Sequence, residues 1–200
     1  MSEGLAIVIL AAGRATRFGG GKLDREVAGK RLGRWVIDAA LTLDSAPPTI
    51  VIGDPPPQFA LDAAKEESAR LLANPHADRG LGTSVALAAD HAARAEAGSL
   101  LVLLADMPLV SPGTLRALAA ARESPAAVRH GDGRAGIPAC FPASWFDRLR
   151  SLAGERGAAG LLREAGGLRL VDVPPRELCD VDRPADLKSL EEALRARGAG

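Results

Sequence analysis

The chain has 200 residues, enough for one sizeable core, and its 25 basic and 25 acidic residues cancel. A neutral balance supplies no basic field for nucleic acid, and no apolar run approaches the ~20 residues of a membrane span. The two cysteines, Cys140 and Cys179, fall outside metal-ligand spacing, and Met1-Ser2-Glu3-Gly4 lacks a signal-peptide start, so reduced thiols in a cytoplasmic protein are expected.

A first apolar strand, 5–11, empties into the loop Leu10-Ala11-Ala12-Gly13-Arg14-Ala15-Thr16-Arg17-Phe18-Gly19-Gly20-Gly21-Lys22. Open α/β sheets place ligands at the carboxyl ends of their strands, where this loop begins. Glycines let backbone N–H groups approach a polyphosphate, and fixed cations neutralise its charge. Lys22 is followed by Leu23, so the Mg²⁺-holding hydroxyl of a Walker A loop is missing. After Gly13 the next glycine is Gly19, which breaks the dinucleotide spacing and argues against a nicotinamide-dependent oxidoreductase. The small residues Ala11, Ala12 and Gly13 leave space for a base or ribose against the backbone. Arg17 and Lys22 would then straddle the β- and γ-phosphates.

Beyond the loop, short apolar runs alternate with amphipathic stretches, the pattern of repeated β-α units on a largely parallel sheet. The pattern predicts a helix over 32–43, a strand over 49–53, a rigid turn at Asp54-Pro55-Pro56-Pro57 and a helix over 59–67. A strand over 69–73 leads into Asn74-Pro75 and Gly80-Leu81-Gly82-Thr83-Ser84, and Ser84 is placed to cap a helix over 84–95. The strand 100–105 ends in Asp106-Met107-Pro108. A carboxylate at a buried strand end is expensive without a compensating cation, and Mg²⁺ is an obvious one. Ser111-Pro112 opens a helix over 112–121.

Strands over 126–129 and 137–141 flank a hairpin-like turn at Gly131-Asp132-Gly133. Helices over 143–152 and 158–165, a strand over 168–171 and a helix over 184–197 complete the chain. No internal repeat or long low-complexity segment appears, so one domain is expected over 1–200, with its core over 4–197. Trp35 and Trp145 sit at helical spacings and read as core or interface. His76, His91 and His130 show no ligand pairing, and Cys140 reads as a small core residue.

Six segments, in order, resemble the MobA-like nucleotidyltransferases, and within them the molybdenum cofactor cytidylyltransferase family. That family's Leu-Ala-Ala-Gly-x-Ser-x-Arg-Met-Gly-x-x-Lys-Leu is matched by Leu10, Ala11, Ala12, Gly13, Arg17, Gly19, Lys22 and Leu23. Phe18 replaces Met and Ala15 replaces Ser. Asn74 to Ser84 resembles the loop that reads the base, and Leu101 to Pro108 the strand that delivers a metal-binding Asp. Gly136-Ile137-Pro138-Ala139-Cys140-Phe141 resembles a strand on the acceptor side. Gly154-Glu155-Arg156-Gly157-Ala158 resembles a Gly-Asp-x-Gly-Ala turn with Glu155 in place of Asp. Asp180-Val181-Asp182-Arg183-Pro184-Ala185-Asp186-Leu187 resembles Asp-Ile-Asp-Thr-Pro-x-Asp-Leu, with Arg183 in place of Thr.

The resemblance implies a three-layer, Rossmann-like α/β nucleotidyltransferase domain on a mostly parallel mixed sheet. It implies a nucleotide site of Leu10, Ala11, Ala12, Gly13, Arg17, Lys22, Asn74, Gly80 and Ser84. Arg17, Lys22 and Asp106 become the catalytic set, with Asp106 and Asp182 on Mg²⁺, or on Mn²⁺ in its place. Asp186 serves the first turn of the last helix. The implied reaction moves CMP from CTP to the terminal phosphate of molybdenum cofactor and releases pyrophosphate. Ala12 stands where users of GTP carry glycine, and its methyl narrows the space beside the base. The product would pass to a molybdenum hydroxylase apoenzyme as a transient partner. Two alternatives stay open: a nucleotidyltransferase for GTP or another phosphate-bearing acceptor, and a nucleotide-binding accessory protein with reduced catalysis.

Overall fold

A computed structural model describes residues 4–13, 18–121, 123–155, 157–181, 183 and 185–198, with side chains to 196. Seven strands form the main sheet, in the order β5-β4-β1-β6-β8-β7-β9. These are β1 (Leu5–Leu10), β4 (Thr49–Ile52), β5 (Arg70–Ala73), β6 (Ser99–Leu104), β7 (Ala126–Arg129), β8 (Ala135–Pro142) and β9 (Arg169–Val171). Every pairing among them is parallel except the two made by β8, with β6 and with β7. The seven strands expected from the apolar runs are the seven observed, and the mixed, mostly parallel sheet is present.

The sheet is covered on both faces, which is why β1 and β6 read as unbroken apolar runs. Side chains alternate across the pleat, so Ile7 and Ile9 enter one core and Val8 and Leu10 the other. The first core is closed by α1 (Arg34–Ala40), α2 (Gln58–Lys65) and α4 (Pro112–Ala119), through Val36, Ile37, Phe59, Leu115 and Leu118. The second is closed by α3 (Leu81–Arg94), α5 (Phe146–Arg150) and α6 (Ala159–Arg163), through Val85, Leu149 and Leu162. Trp145 belongs to this core, its ring tilted 36° to that of Phe141 with centroids 6.1 Å apart. Cys140 is fully buried in β8, and neither cysteine is in a disulfide.

A smaller third cluster joins Phe18, Val27, Leu32, Leu109, Val181, Leu190 and Leu194. It seats α7 (Asp186–Gly198) over a hairpin of β2 (Glu26–Val27) and β3 (Lys30–Arg31). The sequence pattern gives no sign of this hairpin. Its two-residue turn puts Ala28 and Gly29 at φ +50° and +82°, and alanine is an unusual occupant of that region. The hairpin also corrects the expected helix 32–43: Leu32 donates its N–H to Arg25 O, and α1 starts only at Arg34.

The expected helix 143–152 is a 3-10 turn, Ala143–Trp145, followed by the short α5. Ser111 caps α4, its hydroxyl accepting from Thr114 N at 3.2 Å with Pro112 in the first turn. Pro184 lies outside the described residues, and α7 starts at Asp186. The Asp186 carboxylate accepts from Arg183 N at 2.7 Å, the first-turn role expected of it. Among the described residues no helix is long and apolar enough to cross a membrane.

Candidate active site

Three parallel strands, β4, β1 and β6, end side by side, and the site grows from those ends. The β1–β4 ladder runs one residue past the strand, with Ala11 N donating to Val51 O at 2.9 Å. The β1–β6 ladder does the same, with Ala105 N on Leu10 O at 3.1 Å. The first leaves Ala12 and Gly13 at the lip of the sheet, and the second delivers Asp106 there. A Cβ on Gly53, just after β4, would lie 3.2 Å from Ala12 O, so these two exits nearly touch.

Arg17 lies outside the described residues. The chain returns to the protein at Phe18, whose ring is buried in the third cluster. Gly19, Gly20 and Gly21 then take φ of +86°, +92° and +62°, three successive left-handed positions that side chains strongly disfavour. That reversal feeds a 3-10 turn, Lys22–Asp24, which carries Lys22 inward. Lys22 is 7% exposed, and its Nζ donates to Asp106 Oδ2 at 2.8 Å. A part-buried lysine and carboxylate in this geometry form a charge-assisted hydrogen bond between two loops 84 residues apart. Val181 N also donates to Asp106 O at 3.3 Å, bringing the carboxyl-terminal acidic segment beside it. Asp182 itself lies outside the described residues.

The segment from Asn74 to Ser84 forms an adjoining wall. Asn74 is 6% exposed, and its amide Nδ2 donates to Thr83 Oγ1 and to Ser84 Oγ, both at 3.0 Å. Its Oδ1 accepts from His76 N at 2.9 Å. These three bonds fold the segment onto α3. Ser84 is not the helix cap expected of it. The helix opens at Leu81 after Gly80, and Ser84 sits buried in the first turn with its hydroxyl on Asn74. The start is set by Gly80 at φ +103°, where a Cβ would stand 2.6 Å from the Gly154 backbone. Gly82 N donates to Gly154 O at 2.9 Å, so the 154–155 turn docks on the head of α3.

Two adjoining clefts result. One, of about 480 Å³, is lined by Leu10, Ala11, Ala12, Gly13, Lys22, Gly80, Ser84, Asp106 and Glu155, among others. The wider one, of about 1150 Å³, shares Ala11, Ala12, Gly13 and Lys22 and adds Asn74, Gly19 to Gly21, Gly53 and the 54–57 proline turn. All nine described residues expected at the site therefore line one cleft or the other. No residue of β8 lines either, although Gly136 to Phe141 was expected on the acceptor side. Sequence reasoning missed the 53–57 wall and Asp24. The first is only a turn signal in sequence, and the second acts at long range. Glu155, which replaces the Asp of the resembled turn, lines the same cleft as Lys22 and Asp106.

Known proteins share this fold. A family model for the MobA-like NTP transferase domain matches residues 7–170. The chain belongs to the MobA-like NTP transferase family. This MobA-like chain is 28% identical to the purine catabolism protein PucB of Bacillus subtilis, over 94% of its own length and 96% of PucB. It is 36% identical over 122 residues to the bifunctional protein GlmU of Anaeromyxobacter sp. (strain K). That match covers 59% of the chain but 25% of GlmU, so the chain spans about a quarter of those relatives. Its fold superimposes on Rv0371c of Mycobacterium tuberculosis, solved as a manganese complex, with a TM-score of 0.69 at 22% identity. The superposition covers 96% of this chain and 100% of that one.

Proposed function

We propose that the chain is a nucleotidyltransferase that moves CMP from CTP to the terminal phosphate of molybdenum cofactor, releasing pyrophosphate. The observation that carries the reaction class is the Lys22–Asp106 pair, held at 2.8 Å at the mouth of a glycine-walled cleft. Phosphate transfer to a phosphate needs charge neutralisation and alignment more than a strong base, because the acceptor is already an anion.

In this reading the base and ribose lie along Ala11, Ala12 and Gly13, in the wider cleft. An acceptor phosphate oxygen attacks the α-phosphorus in line, the bond from it to the bridging oxygen breaks, and pyrophosphate departs with the electron pair. Lys22 and Arg17 stabilise the charge that grows on pyrophosphate. Asn74, Thr83 and Ser84 hold the wall against which the nucleotide rests. Asp106 and Asp182 are the residues that would hold Mg²⁺ or Mn²⁺. The donor set fits: Asp106 follows β6 at the cleft, and Mg²⁺ is bound by one or two carboxylates plus phosphates rather than by a protein cage. When bound, the ion supplies positive charge to the phosphate oxygens. The manganese in the Rv0371c complex supports a divalent ion in this fold.

Cytosine rests on Ala12. Its methyl, where users of GTP carry glycine, narrows the space beside the base, which favours the smaller ring. The acceptor, and a molybdenum hydroxylase apoenzyme as its recipient, rest on the resemblance of the motifs. We place the protein in the cytoplasm as one MobA-like domain. Pyrophosphate release, measured with each NTP in the presence and absence of molybdenum cofactor, tests the proposal. CTP with the cofactor should give the fastest release. A preference for GTP would overturn the base assignment, and nucleotide binding without pyrophosphate would make the chain an accessory protein.

A further inference from the structure

Helix α2 has an N-terminus that its own sequence does not cap. The N-cap position is Pro57, at φ −70° and ψ 145°, and a proline ring offers no acceptor. The acceptor comes instead from Asp24, at the end of the turn that carries Lys22. Asp24 Oδ2 accepts from Gln58 N at 2.9 Å and Oδ1 from Phe59 N at 2.7 Å, across 34 and 35 residues of chain. Both carboxylate oxygens are thus used on the first two amides of α2, where the helix dipole also favours negative charge.

The turn is gripped from the other side as well. Gly33 N donates to Leu23 O at 3.0 Å, Leu32 N to Arg25 O at 2.8 Å, and the Arg31 guanidinium to Asp24 O at 3.2 Å. Phe59 is 1% exposed and leaves no room for a side chain at Gly33, where a Cβ would fall 2.6 Å from its ring. Lys22, two residues before Asp24, therefore stands on a turn bolted to α2. The 54–57 proline turn, which forms the far wall of the wider cleft, runs directly into that same helix end. Asp24 crosses between the two walls.

We propose that Asp24 is a positioning residue for the nucleotide site: its long-range cap on α2 holds Lys22 inward against Asp106 and fixes the spacing of the cleft walls. The effect on turnover rests on the nucleotidyltransferase reading, whereas the effect on Lys22 does not. A purely structural cap could be supplied locally, because the backbone at position 57 suits a capping Asp. That difference makes the proposal testable.

The experiment compares the unaltered protein with Asp24→Ala, Asp24→Asn and the double variant Asp24→Ala/Pro57→Asp. Acylation of Lys22 by a water-soluble amine reagent is followed by peptide mass spectrometry, with exposed Lys188 as the internal standard, beside thermal melting. Asp24→Ala should speed Lys22 labelling several-fold and lower the melting temperature, with Asp24→Asn between the two because it keeps one oxygen acceptor. The double variant should recover the melting temperature but not the protection of Lys22. In the pyrophosphate assay it should lose up to about 10²-fold in kcat, the scale on which a misplaced group lowers rate. Recovery of Lys22 protection together with melting temperature in the double variant would reduce Asp24 to a helix cap. So would labelling of Lys22 in Asp24→Ala at the unaltered rate. If the unaltered protein releases no pyrophosphate from any NTP, the functional reading fails, and the labelling still decides the role of Asp24.

Discussion

Two hollows of comparable size open at opposite edges of the sheet. At the carboxyl ends of β1 and β6 lies the cleft of about 480 Å³ that holds Lys22 and Asp106. At the amino ends of β1 and β4 lies another of about 680 Å³, lined by Leu5, Thr49, Arg70, His91 and Arg116 among others. The first has what an anionic substrate requires: opposite charges fixed 2.8 Å apart, glycines at positive φ, and strand exits that bring backbone close to a ligand. In the second the arginines are exposed, and a hydrogen bond at its wall, His91 Nε2 to Thr49 Oγ1 at 3.1 Å, ties α3 to β4. Parallel strands make their two ends unequal, and chemistry collects at the carboxyl end.

The strongest way to break this comparison is to remove charge at the carboxyl edge. Asp106→Asn keeps the shape of the side chain and removes its negative charge. It should lower kcat for pyrophosphate release on the order of 10³-fold, at the upper end for loss of one electrostatic group. Near-normal turnover would show that the cleft's carboxylate is not at the reacting centre. Lys22→Ala and Arg17→Ala follow, at roughly 10²-fold each in kcat with smaller changes in KM, because the charge on the leaving group peaks late. Steady-state kinetics at varied NTP separates the two parameters. A rise in KM with kcat unchanged would assign these cations to ground-state binding alone.

The residues at the two edges were not equally legible in sequence. Strands buried on both faces leave unbroken apolar runs, so β1 and β6 announce themselves, and Asp106 is conspicuous as the carboxylate that ends such a run. Lys22 stands out after three glycines. What does not show is anything set by distant parts of the chain. Gly80 fixes the start of α3 because the Gly154 backbone packs where its Cβ would be, so Ser84 looks like a cap from sequence and is buried in the first turn. Asp24 caps a helix 34 residues away and leaves no local pattern, except that Pro57 cannot do the capping. The β2–β3 hairpin turns on Ala28 at positive φ, a residue that carries no turn signal.

A middle-sized effect comes from Asn74, which shapes the wall without carrying charge. Asn74→Ala removes two donors and one acceptor from a buried segment, leaving His76 N–H and the Ser84 hydroxyl short of a partner. The cost should be about 2 kcal/mol, within the range for unsatisfied buried groups. That corresponds to a fall in melting temperature of about 4–8 °C for a domain of this size. KM for the nucleotide should rise with it as the wall loosens. A loss of stability with KM unchanged would confine Asn74 to holding the segment on α3.

The smallest effect belongs to the other edge. Burial lowers the His91 pKa below its usual value, and the nearby Arg70 charge lowers it further, against a weaker opposing pull from Asp90. The unfolded chain therefore binds a proton at this residue more readily than the folded one. His91 is neutral in both states above about pH 6.5, and the folded state loses stability as pH falls below that value toward the lowered pKa. His91→Gln keeps a hydrogen-bonding partner for Thr49 and removes the titration, so melting temperature should change less between pH 7.5 and 5.5 than in the unaltered protein. Pyrophosphate release should stay the same, because the Lys22–Asp106 cleft lies at the opposite ends of the strands. A change in turnover with this substitution would mean that the two edges are coupled through α3, whose amino end meets the cleft and whose later turn carries His91.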